Sequence, residues 1–171
     1  MIKIGILGDI GSGKSFIAKH FGYPVFNADE EVSKLYKKDI KIFNKLKKKL
    51  PKYITKFPLS KREVSDAILA DNSNLKKIVK IIHRKIRNKM TLFLKKNKNR
   101  GIVILDVPLL LENRINKKND ILVFVQSNKL EVLKRLKKRK NFNYNLYLKF
   151  KKIQLPLEFK KKKSDFIIKN N

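Results

Sequence analysis

Residues 8–15 read Gly-Asp-Ile-Gly-Ser-Gly-Lys-Ser, an octet with glycine at its first and sixth positions followed by Lys14 and Ser15. Nothing else in the chain limits the fold so strongly. The loop needs a strand to deliver it and a helix to follow, because the backbone N–H groups that curl around an anion point from a helix N-terminus. The flanks supply both. Ile2, Ile4, Ile6 and Leu7 make an apolar run that reads as a buried strand, and Phe16, Ile17 and Phe21 fall at the spacing of a helix start. In such a loop Gly8, Ile10, Gly11, Ser12, Gly13, Lys14, Ser15 and Phe16 are expected to surround a nucleotide polyphosphate. Lys14 would reach the outer phosphates, and the Ser15 hydroxyl would take a place on Mg²⁺.

The pattern that follows alternates strands with helices. Tyr23 to Asn27 reads as a second short strand ending at Ala28-Asp29, and residues 30–50 carry Val32, Leu35, Ile42, Phe43, Leu46 and Leu50 at helical intervals. Pro51 and Pro58 bracket a turn region. Ser60 to about Lys98 is helical again, in two pieces divided near Asp71-Asn72-Ser73-Asn74, before Asn99-Arg100-Gly101 breaks the pattern. Ile102 to Leu105 is continuously apolar and ends in Asp106, and Asn119-Asp120 leads into a similar run from Ile121 to Val125.

Ser127 or Asn128 is expected to cap the next helix, with Glu131 close behind and Leu130, Leu133 and Leu136 as its buried stripe. Residues 137–152 are too basic to assign. Lys160 to Lys163 reads as a solvated turn, and Asp165 to Ile168 as a last strand. This order predicts one α/β domain over residues 1–171: a three-layer α/β/α arrangement around a central parallel sheet of about five strands. Ligands of such sheets sit beyond the carboxyl ends of the strands. That rule sets Gly8 to Ser15, Asp29 and Asp106 along one rim.

Composition narrows the class. The 42% apolar fraction suffices for a packed interior, and the absence of cysteine excludes disulfide and thiol chemistry. The first residues show no charged leader, cleavage site or long apolar run, so a cytoplasmic protein without a membrane partner is expected. A net charge of +30 raises the question of a nucleic-acid partner. Most of the 44 basic residues are lysines spread along the chain, whereas bidentate phosphate and base contacts favour arginine. A solvated lysine-rich surface is the simpler reading, and nucleic acid is not expected as a partner.

Phosphoryl transfer asks a protein for neutralised phosphate charge, a held metal and an aligned nucleophile. The loop and Lys14 supply the first. Ser15 and Asp106, the latter at a strand end, are the expected metal ligands, directly or through water. Asp29, at the end of the second strand, is either a base for an attacking hydroxyl or the cap of the helix near Glu30. An ordinary aspartate, with pKa near 4, is ionised at neutral pH and able to accept a proton. His20 and His83 are expected on helix faces, and no spacing of His, Cys or carboxylates suggests a permanent metal site.

Taken in order, the octet, Asn27-Ala28-Asp29 and Asp106-Val107-Pro108-Leu109-Leu110-Leu111-Glu112 resemble the dephospho-CoA kinase family. The match continues through Arg62, His83, Arg135-Leu136, Arg139, Gln154-Leu155-Pro156 and Asp165 to Asn170, so it covers essentially the whole chain. The resemblance implies transfer of the ATP γ-phosphate to the ribose 3′-hydroxyl of dephospho-CoA, with Mg²⁺. It implies a nucleotide-binding core of residues 1–29, 101–135 and 164–171, a helical acceptor-binding region of residues 30–100 and a lid of residues 136–163. By this analogy Asp29 is the catalytic base, Lys14 and Arg139 act on the phosphates, Asn170 approaches the adenine, and Arg62 and His83 contact the acceptor. A monomer is expected.

Three departures from the family pattern stand out. Asp9 occupies a position where glycine is usual, adding a carboxylate beside a triphosphate. At about 4 Å such a repulsion costs ~1 kcal/mol in water and ~4 kcal/mol at intermediate dielectric, unless the side chain turns away or a lysine compensates. Arg84 replaces the proline usual after the histidine, and Phe150-Lys151-Lys152 lacks an arginine many relatives carry before the glutamine. The chain also ends where relatives usually continue into another helix. Two rival readings stay open: another small-molecule or nucleotide kinase of the same loop class, and a degenerate basic nucleotide-binding protein that holds RNA.

Overall fold

A computed structural model describes residues 1–139 and 142–171. Five strands, β1 (Ile2–Gly8), β2 (Val25–Asn27), β3 (Ile102–Asp106), β4 (Ile121–Gln126) and β5 (Phe166–Lys169), form one sheet in the order β2-β3-β1-β4-β5. Every pairing is parallel. The parallel α/β sheet flanked by helices expected from the sequence is therefore present. Its central strands are buried on both faces, which explains their continuous Ile/Val/Leu runs.

The chain divides into two compact units, one of Met1–Asn27 with Leu94–Asn171 and one of Ala28–Phe93. The first contains the sheet. Helix α1 (Lys14–His20) lays Ala18 against Ile4, Ile6, Ile104, Val123 and Val125, all buried, with Ile17 and Phe21 at the margin. Each such aliphatic side chain contributes about 1.5–3 kcal/mol of transfer free energy. At the sheet edge Asp165 closes the start of β5 twice, its amide donating to the Leu122 carbonyl at 2.8 Å and its carboxylate accepting from the Leu122 amide at 2.7 Å.

The second unit holds α2 (Ala28–Lys38), α3 (Ile40–Lys49), α4 (Lys61–Ala70) and most of α5 (Asn72–Lys96). The sequence suggested continuous helix over residues 30–50, but Asp39 interrupts it. Its extended backbone and its carboxylate, which accepts from the Ile42 amide at 3.1 Å, make it the cap of a new helix. Ser60 and Glu63 form a reciprocal capping box that starts α4. The break expected near Asp71-Asn74 is there, where Asp71 ends α4 and accepts from the Ser73 amide at 2.7 Å.

Three local expectations need correction in the C-terminal part. Asn128 caps α6 (Lys129–Lys137), but the buried face carries Val132 and Leu136, while Leu130 is exposed. The unassigned basic stretch contains α7 (Tyr144–Lys152), capped by Asn143. Lys160 does not belong to a solvated turn: it lies in α8 (Leu157–Lys162), buried, with its ammonium 2.7 Å from Glu112. Of the expected lid, residues 140 and 141 lie outside the described residues. Among the described residues no helix is long and apolar enough to cross a membrane.

Candidate active site

The phosphate loop runs from the end of β1 into α1, and its glycines answer to specific neighbours. Gly13, the N-cap of α1, has φ of 90°, and a Cβ there would lie 2.1 Å from the Asn170 amide nitrogen. Gly8 has φ of 144°, and a Cβ would meet the Val125 carbonyl at 2.6 Å and the Ser12 hydroxyl at 2.7 Å. Neither position accepts a side chain without moving backbone. Ser12 is buried, and its hydroxyl oxygen has no hydrogen-bond partner.

Three elements brace this loop. The Asn170 side chain donates to the Ser12 carbonyl at 2.8 Å, and the Ser127 hydroxyl stands 2.9 Å from the same oxygen. Arg135, from α6, reaches the Asn170 carbonyl at 3.2 Å and the Ser127 hydroxyl at 3.4 Å. Asn170 is itself fixed by its amide donating to the Gln126 carbonyl at 2.8 Å. The loop is thus held by the last residues of the chain and by the first turns after β4.

The expected metal ligands meet through a residue to which sequence reasoning assigned no role. Strand register pairs Asn27 on β2 with Asp106 on β3. The Asn27 side-chain amide donates to the Asp106 carboxylate at 2.6 Å and to the Ser15 hydroxyl at 3.3 Å. Both Asn27 and Asp106 are buried. The signal for Asn27 was its place at a strand end beside another strand ending in a carboxylate, and only the register makes it legible. Ser15 and Asp106 offer hard oxygen donors, the chemistry Mg²⁺ takes. Among the described residues no group of three or more His, Cys, Asp or Glu could hold a metal ion. That agrees with an ion that carries most of its coordination as water and substrate phosphate.

Lys14 curls back over the loop, its ammonium 2.6 Å from the Asp9 carbonyl and 3.3 Å from that of Gly8. The Asp9 carboxylate turns to its own backbone, accepting from the Ile10 amide at 2.7 Å, and its second oxygen is ion-paired with Lys151 from the last turn of α7. Farther along, Glu112 joins the segment after β3 to the segment after α7. It accepts from the Leu155 amide at 3.0 Å as well as from Lys160, and its other oxygen is buried without a partner. Burial pushes the Glu112 carboxyl up, yet the bonds from Lys160 and backbone amides together hold it below the usual carboxylate range.

The remaining candidates lie apart from this network. Arg139 is exposed just beyond the α6 cap, and its backbone amide donates to Leu136 at 3.1 Å. In the second unit, Asp29 is exposed in the first turn of α2. That helix begins at Ala28, so Asp29 stands inside it instead of capping it; its carbonyl accepts from the Ser33 hydroxyl at 2.9 Å. Arg62 is 92% exposed with a distant Asp66 partner at 3.9 Å. His83 lies in a groove of about 310 Å³ along α5 with Lys80, Arg84, Arg87 and Asn88. Burial first, and the Arg87 charge second, hold its pKa below the ordinary value.

The comparisons with known proteins agree with this arrangement. A model of the dephospho-CoA kinase family matches residues 2–171. Dephospho-CoA kinase from Wolbachia sp. subsp. Brugia malayi is 36% identical over 170 residues, covering 96% of this chain and 87% of the relative. That from Rickettsia typhi is 34% identical over 171 residues, with 98% and 87% covered. Among solved structures, TT1252 from Thermus thermophilus superposes with a TM-score of 0.80 at 26% identity, covering 99% of this chain and 88% of that one. Dephospho-CoA kinase from Campylobacter jejuni superposes with a TM-score of 0.61 at 22% identity and the same coverages, which shows a common fold. The chain belongs to the dephospho-CoA kinase family.

Proposed function

We propose that this protein transfers the γ-phosphoryl group of ATP to the ribose 3′-hydroxyl of dephospho-CoA, giving CoA and ADP. The observation that carries the reading is the β2–β3 register, which sets Asp106 and Asn27 side by side with Asn27 bonded to Ser15 on the phosphate loop. Family membership supplies the acceptor.

In this reading the loop amides and Lys14 draw charge from the triphosphate, and binding exchanges the loop carbonyls now held by Lys14 for phosphate oxygens. Ser15 and Asp106 would hold Mg²⁺, which when bound neutralises phosphate charge. Asn27 keeps these two oxygens oriented by donating to both. Asp29 accepts the proton of the attacking hydroxyl as the new O–P bond forms. Arg139, at the start of the lid of residues 136–163, closes on the phosphates, and Asn170 lies toward the adenine while bracing Ser12. Residues 30–100 bind the acceptor, with Arg62 and the basic α5 groove around His83 suited to its diphosphate. The protein works in the cytoplasm as a monomer.

The test is an acceptor comparison. ADP release from MgATP is measured with dephospho-CoA, with shikimate, with deoxyadenosine and with no acceptor. Release stimulated by dephospho-CoA alone is expected; stimulation by another alcohol, with none by dephospho-CoA, would overturn the proposal.

A further inference from the structure

Asp9 puts a carboxylate into a loop built to receive a polyanion, and Lys14 cannot cancel it if that side chain is to serve the phosphates. Lys14 touches only the main-chain oxygen of Asp9. The carboxylate is engaged on both sides by other groups: the Ile10 amide on one oxygen and Lys151 on the other. Only 15% of the Asp9 side chain is exposed, so the pair is screened less than a surface pair would be. We infer that Lys151 is a positioning residue for nucleotide binding, drawing the Asp9 carboxylate away from the triphosphate and neutralising it, so that this chain tolerates an acidic phosphate loop.

The two departures in the sequence, at Asp9 and in Phe150-Lys151-Lys152, are thus one compensated change. Lys151 comes from the last turn of α7. The pair therefore also fastens that helix to the phosphate loop, while the following segment is fastened through Leu155 and Lys160 to Glu112. The inference rests on the nucleotide half of the proposed function and is independent of the acceptor.

Its test is MgATP affinity by titration calorimetry, in the absence of any acceptor, on the parent chain and on K151Q, K151R, D9N and D9N/K151Q, with thermal melts as a check of folding. K151Q is expected to raise the MgATP dissociation constant about tenfold, equivalent to about 1.4 kcal/mol. K151R should stay near the parent value. D9N should bind more tightly than the parent, because Lys151 is then released toward the phosphates. The double variant should lie within about twofold of D9N. A tenfold loss on adding K151Q to D9N would mean that Lys151 serves the nucleotide directly, and would overturn the inference; so would an unchanged affinity in folded K151Q. Should K151Q fail to fold, D9N decides: affinity equal to or weaker than the parent refutes the inference. No MgATP binding by the parent chain would refute the nucleotide reading and this inference with it, whereas binding without transfer to dephospho-CoA would leave this inference standing and fail the acceptor reading alone.

Discussion

The two compact units hold their candidate functional residues in opposite ways. Around the phosphate loop, Asn27 and Asp106 are buried and bonded, and Ser12, Asn170, Ser127 and Arg135 fix one another through short contacts. In the helical unit, Asp29 and Arg62 are exposed and His83 is half-buried in an open basic groove. The difference follows from what each region must recognise. A triphosphate is constant in shape and rewards donors fixed before it arrives. An extended acceptor with several charged groups needs long cationic side chains that reach out from a helix face, and their entropy is spent only on binding.

This contrast can be broken at its strongest point first. Asp29→Asn should lower kcat by ~10²–10⁴ while leaving the MgATP dissociation constant nearly unchanged, the scale of losing a general base. A folded variant with parent-like kcat would remove Asp29 from that role and leave the helical unit with binding alone. Lys14→Ala should instead raise the MgATP dissociation constant and lower kcat together, which rapid-quench and calorimetric measurements separate.

Next in size is the support behind the loop. Glu112→Gln leaves the Lys160 ammonium buried without its counter-charge, and removing one partner of such a pair costs about 3–5 kcal/mol. A large fall in melting temperature is therefore expected at pH 7. The folded-state pKa of Glu112 is lowered, so its contribution to stability is present above the unfolded value of 4.5 and is lost as pH falls through the folded value. The gap in melting temperature between parent and variant should close in acid. A gap that persists there would mean packing, not charge, holds the pair's region.

Smaller still is Asn170→Ala, which deletes one hydrogen bond to the Ser12 carbonyl and should cost about 1 kcal/mol, read as weaker MgATP binding with kcat kept. The least effect is expected at His83→Gln. The His83 pKa is lowered in the folded chain, so the unfolded chain binds that proton more readily and stability declines as pH drops below 6.5. The variant should show a shallower decline in melting temperature over that range, and an identical decline would sever His83 from the effect.

Much of the rim was legible because the code there is local. The octet dictates a loop between strand and helix, and each apolar run marks its own strand, so β1, β3, β4 and β5 fall within a residue or two of expectation. The parallel sheet follows from alternation alone. What escaped depended on pairings distant in sequence. Asn27 acquires meaning only when register sets it beside Asp106, and Lys160 sits in a basic run that hides its partner Glu112. The break at Asp39 was missed because apolar periodicity continues across it, while a side-chain cap restarts the helix. In the helical unit the groove around His83 was visible as a basic helix face, but Arg62 and His83 owe their assigned contact with the acceptor to family resemblance.

The most direct measurement is the identity of the product. The chain is incubated with MgATP and dephospho-CoA, and the acceptor is recovered for mass spectrometry and phosphorus NMR. One added phosphoryl group, on the ribose 3′-oxygen and formed in step with ADP, is the expected result. Dephospho-CoA recovered unchanged from folded protein that binds MgATP would contradict the account.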